Sequence, residues 1–242
     1  MQQSKDAGKL YLIPTTLGNT PPLEVLPLSV KKVIEDLDEF VVENEKSARA
    51  FVKRITPKKA QAKLVLHVLN KHTESTEIPG FLDSCKNGKS IGLLSEAGAP
   101  GVADPGAEVV KLAHDQNIRV IPLVGPSSIL MAMMSSGLNG QNFAFNGYLP
   151  IDKKERKKEI KRLEHLSADA NQAQSFIETP YRNNKMLDDL VQNLQDHTSL
   201  CIACDITLET EYIRTQSINA WKNKLPDLHK RPAIFIIQKN TL

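Results

Sequence analysis

Between residues 90 and 136 the chain passes twice from a short run of branched apolar residues, through a loop of small residues, into a helical pattern. Residues 90–94 (SIGLL) enter the loop 95–106 (SEAGAPGVADPG), and residues 119–123 (RVIPL) enter 124–128 (VGPSS). Each run has strand length and is bounded by turn residues, and beyond each loop apolar residues recur at helical spacing. Strand, helix, strand, helix in this rhythm points to α/β layers built on a mostly parallel sheet. Asp104 and Pro105 read as the start of the first helix, with aspartate capping free amides and proline in the first turn. Val109, Leu112 and Ala113 mark its buried face, and Asn117 its end.

Residues 10–13 (LYLI) and Glu39–Val42 (EFVV) read as further strands. Leu64, Val65, Val68 and Leu69 recur at helical spacing, which predicts a helix over 60–69. Composition shifts near Gly140. Phe143–Tyr148 then reads as a strand broken by Leu149-Pro150, and 153–166 as a helix with Ile160 and Leu163 inward. A strand at 175–178, a helix over 184–194, and strands at 200–204 and Ala233–Gln238 come next. The expectation is two α/β domains, 1–140 and 141–242, with a hinge within 138–150. A chain of 242 residues is long enough to bury both cores.

Several classes are disfavoured. Nowhere do 18 apolar residues stand in succession, and the first ten residues lack the apolar centre of a leader, so no membrane association is expected. Three cysteines cannot build a disulfide framework, which makes a reducing cytoplasm the natural compartment. Cys201 and Cys204 lie three apart on a strand, so they face opposite sides and cannot grip one metal ion. They read as core residues, and no metal is expected. A net charge of +3 does not by itself announce nucleic acid. Yet Lys153, Lys154, Arg156, Lys157, Lys158, Lys161 and Arg162 crowd into ten positions, either as the solvated face of a helix or as an RNA contact.

The loop 95–106 contains neither G-x-x-x-x-G-K-[ST] nor G-x-G-x-x-G, so neither a phosphate cradle nor a dinucleotide site is supported. Its small residues Ala97, Gly98, Ala99 and Pro100, with Val102, let a ligand approach the backbone closely. Taken alone, a loop of this composition reads first as a tight crossover without a ligand. Ser127 and Ser128 offer hydroxyls and free amides where a helix begins, which is also what any helix cap does. Leu17 and Gly18 lie in a third such loop, 15–19, after the first strand. Three small-residue loops after parallel strands would converge on one rim, where open α/β sheets bind ligands. Glu178 and Arg182 flank Pro180 in Phe176–Arg182 (FIETPYR), placed either to orient a polar substrate or to fix a loop as an ion pair. Glu43, with Glu45, Lys46 and Arg49 after it, forms another charged group, or an exposed first helical turn.

In order along the chain these segments resemble the tetrapyrrole methylase superfamily, nearest to the branch that methylates a cytidine ribose 2′-hydroxyl in bacterial small-subunit ribosomal RNA. Thr15 to Asn19 is similar to that branch's alanine-threonine-proline-x-glycine-asparagine loop. Ser95, Ala97, Gly98, Pro100, Asp104, Pro105 and Gly106 keep the register of its second loop. Residues 124–128 resemble its proline-glycine-proline-serine-alanine turn, with Ser136-Gly137-Leu138 after it. Gly147 to Pro150, Phe176 to Arg182, Thr207 and Glu211 match later motifs. Glu43 to Lys46 departs from the family's glutamate-aspartate-threonine-arginine, and the chain stops after its last strand without the family's short helical extension. The resemblance implies S-adenosylmethionine in a cleft between two α/β domains, held by Leu17, Gly18, Ala97 to Pro100, Val102, Ser127 and Ser128. It implies RNA, in particular ribosomal RNA, as substrate, and a homodimer. Glu178 is the first candidate for base or orienting group, Arg182 for placing substrate, and Glu43 a further one. A methyltransferase of the same fold acting on a tetrapyrrole or another small molecule stays open, as does an inactive cofactor-binding module.

Overall fold

The computed structural model describes residues 8–239, so most of the N-terminal stretch that lacks a leader's apolar centre lies outside the described residues. Two compact α/β units divide at Ser127/Ser128.

The first unit runs β1 (Lys9–Ile13), α1 (Pro22–Val25), α2 (Leu28–Asp36), β2 (Glu39–Val42), α3 (Glu45–Ile55), β3 (Val65–Val68), α4 (Asp83–Lys86), β4 (Ile91–Leu94), α5 (Ala107–Asp115) and β5 (Arg119–Pro122). Its sheet has the order β3-β2-β4-β1-β5, and every pairing is parallel. Strand alternation sorts the core to its two faces. Ile13, Phe40, Val42 and Leu94 join Val30, Ile34 and Val52 on one, while Leu10, Val41, Ile91 and Leu93 join Val109 and Ala113 on the other. Burying each such side chain contributes about 1.5–3 kcal/mol. Asn44 caps α3, its Oδ1 accepting from the Lys46 and Ser47 amides. Ala48, Phe51, Val52 and Ile55 form the buried stripe of that helix.

Two local expectations are corrected. The helix expected over 60–69 is a 3-10 turn (Gln61–Lys63) leading into edge strand β3, in register with β2 from Glu39↔Val65 to Val42↔Val68. The apolar spacing there satisfies both periods, and pairing with a distant strand decides between them. Leu64 and Leu69, the best buried residues of the segment, simply flank the strand. Nor does Asp104 cap α5. That helix starts at Ala107 behind Gly106, whose φ of 124° is a glycine conformation and whose missing Cβ would lie 2.7 Å from Leu93 Cδ2.

The second unit runs α6 (Ser128–Ser136), β6 (Phe143–Tyr148), α7 (Lys153–Asp169), β7 (Ala173–Ile177), α8 (Asn183–Asn193), β8 (Ser199–Cys204), β9 (Tyr212–Ser217), α9 (Ile218–Trp221) and β10 (Ala233–Gln238). Its sheet order is β6-β7-β10-β8-β9. Only β6 and β7 are parallel, the other three pairings being antiparallel, so a mostly parallel sheet describes the first unit alone. The short link 205–211 is the physical reason: it returns β8 into β9 as an antiparallel pair, whereas a parallel return needs a crossover. β9 (YIRTQS) carries no apolar run and is half-buried at the sheet edge, which is why its sequence does not announce a strand. Ile160, Leu163, Phe176, Leu190, Trp221 and Phe235 centre the core. Cys201 and Cys204 are free thiols buried in β8. Among the described residues no helix is long and apolar enough to cross a membrane.

Candidate functional site

Because all strands of the first sheet run the same way, the loops after β1, β2, β4 and β5 leave from one rim. The loops after β1, β4 and β5 touch. The Thr15 amide donates to the Gly98 carbonyl at 2.9 Å. A Cβ on Gly98, which holds φ at 79°, would lie 2.9 Å from Leu17 Cδ2 and 3.2 Å from the Pro126 carbonyl oxygen. A Cβ on Gly125 would lie 2.2 Å from Pro14 Cγ. Absent side chains therefore let three loops close on each other, the use of glycine where backbones approach. Of the residues expected to hold a cofactor, Gly98 and Pro100 are buried, and Ala97 and Val102 are exposed. Leu17, Gly18, Ala99 and Ser127 are half-buried beside them, and Ser128 is the first residue of α6, in the second unit.

A hollow of about 300 Å³ opens at this rim between the β1 loop, α3 and the end of β4. Leu17, Gly18, Ala48, Phe51 and Leu94 give it apolar walls. Thr15 and Arg54 also line it. Arg54 Nη2 donates to the Thr20 carbonyl at 2.7 Å, which holds the guanidinium in place. Thr15 Oγ1 is buried and has no hydrogen-bond partner. A buried hydroxyl left unpaired costs free energy that a ligand's polar group would recover. Only Leu17 and Gly18 of the expected cofactor residues line this hollow. Thr15 belongs to the loop 15–19 already expected at this rim, whereas Phe51 and Arg54 went unread as site residues, although the i, i+3, i+4, i+7 spacing of Ala48, Phe51, Val52 and Ile55 does signal the helix that carries both.

Glu43, at the end of β2, shares a narrow crevice with Glu96 and Asp104. Glu96 accepts from Ser47 Oγ at 2.6 Å. Asp104 accepts from Ser95 Oγ, which in turn accepts from the Ala97 amide at 3.1 Å. Asp104 thus folds the β4 loop back on its own strand end, the role it has instead of capping α5. Burial, and then the charges of Asp104 and Glu96, push the Glu43 carboxyl above its ordinary value. Burial raises Asp104 as well, against the lowering effect of the Ser95 hydroxyl. Repulsion of this kind makes a carboxylate readier to take a proton or a cation.

In the second unit Glu178 comes directly after β7, and Arg182 ends the 3-10 turn Pro180–Arg182. Arg182 Nη2 donates to Glu178 Oε1 at 2.7 Å, and the Thr179 amide donates to the same oxygen at 2.6 Å. Burial pushes the Glu178 carboxyl up, but the Arg182 and Thr179 hydrogen bonds outweigh it and hold the group below the usual carboxylate range. The two side chains therefore form an ion pair with an ionised carboxylate at its centre.

The basic run on α7 also separates into roles. Arg156 is buried: Nε donates to Asp189 Oδ2 at 2.7 Å, and Nη1 donates to the Ile151 carbonyl at 2.7 Å and the Pro150 carbonyl at 3.2 Å. Lys158 pairs with Glu155 and Arg162 with Glu159. Lys153, Lys154, Lys157 and Lys161 are exposed and, among the described residues, enter no ion pair.

No protein-family model matches the chain. Among curated proteins it is similar to ribosomal RNA small subunit methyltransferase I of Bacillus subtilis (strain 168), 32% identical over 223 residues that cover 90% of this chain and 72% of the relative. The protein of the same name from Halalkalibacterium halodurans is 31% identical over 214 residues, 88% of this chain and 70% of the relative. Among solved structures the methyltransferase CobJ superposes with a TM-score of 0.63 over 96% of this chain and 94% of that one; at 16% identity the likeness is one of fold.

Proposed function

Since the chain belongs to the ribosomal RNA small subunit methyltransferase I family, within the tetrapyrrole methylase superfamily, we propose that it transfers the methyl group of S-adenosylmethionine to a ribose 2′-hydroxyl of ribosomal RNA. The observation that carries this reading is the alignment with named ribosomal RNA methyltransferases over nine-tenths of the chain.

The chemistry of the rim fits such a cofactor. A largely apolar hollow with one unpaired buried hydroxyl, that of Thr15, suits a nucleoside without phosphates. The neighbouring carboxylates Glu43, Glu96 and Asp104 suit a ligand of positive rather than negative charge. In this reading Leu17, Gly18, Ala97 to Pro100, Val102, Ser127 and Ser128 hold the cofactor, which supplies an electrophilic methyl group on a sulfonium. Thr15 belongs with them.

The chain's own task is to position a hydroxyl and remove its proton as it is methylated. A general base works best with a pKa near the working pH. Glu43 is shifted in that direction and Glu178 away from it. We therefore assign the base to Glu43, and to Glu178 the holding of Arg182, which places the substrate. That reverses the order in which the two carboxylates present themselves in the sequence. A homodimer working in the cytoplasm completes the reading.

The test is transfer of radiolabelled methyl from S-adenosylmethionine by the purified chain. The substrates are small-subunit ribosomal RNA from a strain deleted for the gene, and uroporphyrinogen. Label in RNA, within a dinucleotide resistant to alkaline cleavage, is the expected result. Label in the tetrapyrrole and none in RNA would overturn it.

A further inference from the structure

Two of the chain's four tyrosines, Tyr148 and Tyr181, are exposed by 62% and 71%, and both stand at one end of the second sheet. β6 and β7 are parallel and end together, with Tyr148 opposite Ile177. Tyr148 closes β6, and Tyr181 lies in the turn just after β7. Ile151, just beyond Tyr148, is 68% exposed. Single exposed apolar residues are ordinary, but three large ones gathered at one sheet end are not.

Their surroundings say what they suit. Arg182 is adjacent to Tyr181 in sequence and within electrostatic reach of the Tyr148 phenol. Its Nη2 is committed to Glu178, while its Nε is shielded from solvent and has no acceptor. Lys153, Lys154 and Lys157 stand on the first turns of α7, and Lys153 and Lys157 share one stripe of that helix. The aromatic groups are also held still. Arg156 donates to the carbonyls of Pro150 and Ile151 from its buried pairing with Asp189, and this fixes the loop after Tyr148. The Tyr181 ring meets the His229 ring edge-on at 6.3 Å. Rigid exposed rings beside unpaired cations are the means by which proteins hold unpaired nucleic acid, the rings stacking on bases and the cations meeting the backbone.

We propose that this end of the second sheet is a docking face for single-stranded RNA, with Tyr148 and Tyr181 stacking on splayed bases and Lys153 and Lys157 meeting phosphates. The proposal rests on the reading of the chain as an RNA methyltransferase and adds to it the part of the surface that receives the RNA.

The experiment uses the full chain and fluorescein-labelled mixed-sequence RNA of about twelve nucleotides, near the upper footprint of one single-strand site, as single strand and as duplex. Binding is measured by fluorescence anisotropy over a range of salt. Tyr148→Ala with Tyr181→Ala should weaken single-strand binding roughly 10- to 100-fold, the effect of losing stacked bases, and leave duplex binding within about two-fold. Tyr148→Phe with Tyr181→Phe should restore it, since the ring and not the hydroxyl stacks. Lys153→Glu with Lys157→Glu should weaken binding and flatten its salt dependence by roughly one phosphate contact per lysine. Unchanged affinity of the double-alanine variant, or equal loss on single strand and duplex, would overturn the proposal. Methyl transfer by the unaltered chain is scored separately. Transfer to RNA with the tyrosines indifferent sinks the docking face alone, and tyrosine-dependent binding without any transfer sinks the methyltransferase reading alone.

Discussion

Arg156 is the basic residue whose replacement should be felt most, and for a structural reason. Its side chain is 3% exposed and that of Asp189 8%. Replacing it with alanine removes both donors to Asp189 and those to the Pro150 and Ile151 carbonyls. The variant keeps a buried carboxylate without a counter-ion, which costs about 3–5 kcal/mol when one partner of such a pair is removed. That is a large part of the roughly 5–15 kcal/mol by which domains are stable. Trp221 is the chain's single tryptophan and is buried in the second unit's core, with Nε1 donating to the Leu200 carbonyl, so its fluorescence reports on that unit. In urea the Arg156→Ala transition should move down by about 2 M, given a slope of roughly 1–3 kcal/mol/M. Arg156→Met with Asp189→Leu should recover much of the loss, because exchanging both charges for apolar groups leaves no buried charge without a partner and only the Pro150 and Ile151 carbonyls short of a donor. A loss below about 1 kcal/mol in the single variant would refute the reasoning. So would a double variant as unstable as the single one.

Glu43→Gln should lower kcat by about 10²- to 10⁴-fold, the usual effect of losing a general base. The acidic limb of the kcat/KM profile, where activity falls as Glu43 takes up a proton, should lie above the ordinary carboxylate range; a limb unmoved by Glu43→Gln would remove it from that role. Glu178 has its folded-state pKa depressed, so it contributes stability above its unfolded pKa that is lost as pH falls through the folded one. Urea unfolding measured from pH 6 down to pH 3, about the carboxylate range, should thus show a shallower decline for Glu178→Gln than for the unaltered chain. Thr15→Val removes an unpaired hydroxyl, so the ligand-free chain should unfold at no lower temperature, while calorimetric affinity for S-adenosylmethionine falls by up to roughly 10-fold. Unchanged affinity would detach Thr15 from the site.

How much of the fold and site was legible depends on what each signal measures. Short buried runs such as EFVV and AIFIIQ name their own strands, because burial on both faces leaves few residue types to choose from. The 60–69 segment misled because five apolar residues in six positions satisfy two periods, and β2, more than twenty residues away, made the choice. The polar strand β9 had no apolar run to show.

Periodicity and loop composition by themselves determined the α/β class and the position of the three small-residue loops, and the resemblance to a known family was carried by the order of the motifs, since all of these are written in local residue types. Pairing was decided only by the tertiary structure. Asp104 turned out to accept from Ser95 rather than cap a helix, Arg156 to be clamped to Asp189 thirty-three residues on, and Glu43 rather than Glu178 to have the more basic carboxyl. The reason is that hydrogen bonds and pKa shifts depend on neighbours within a few ångströms in space, and the chain brings those neighbours from distances along the sequence that no local pattern records.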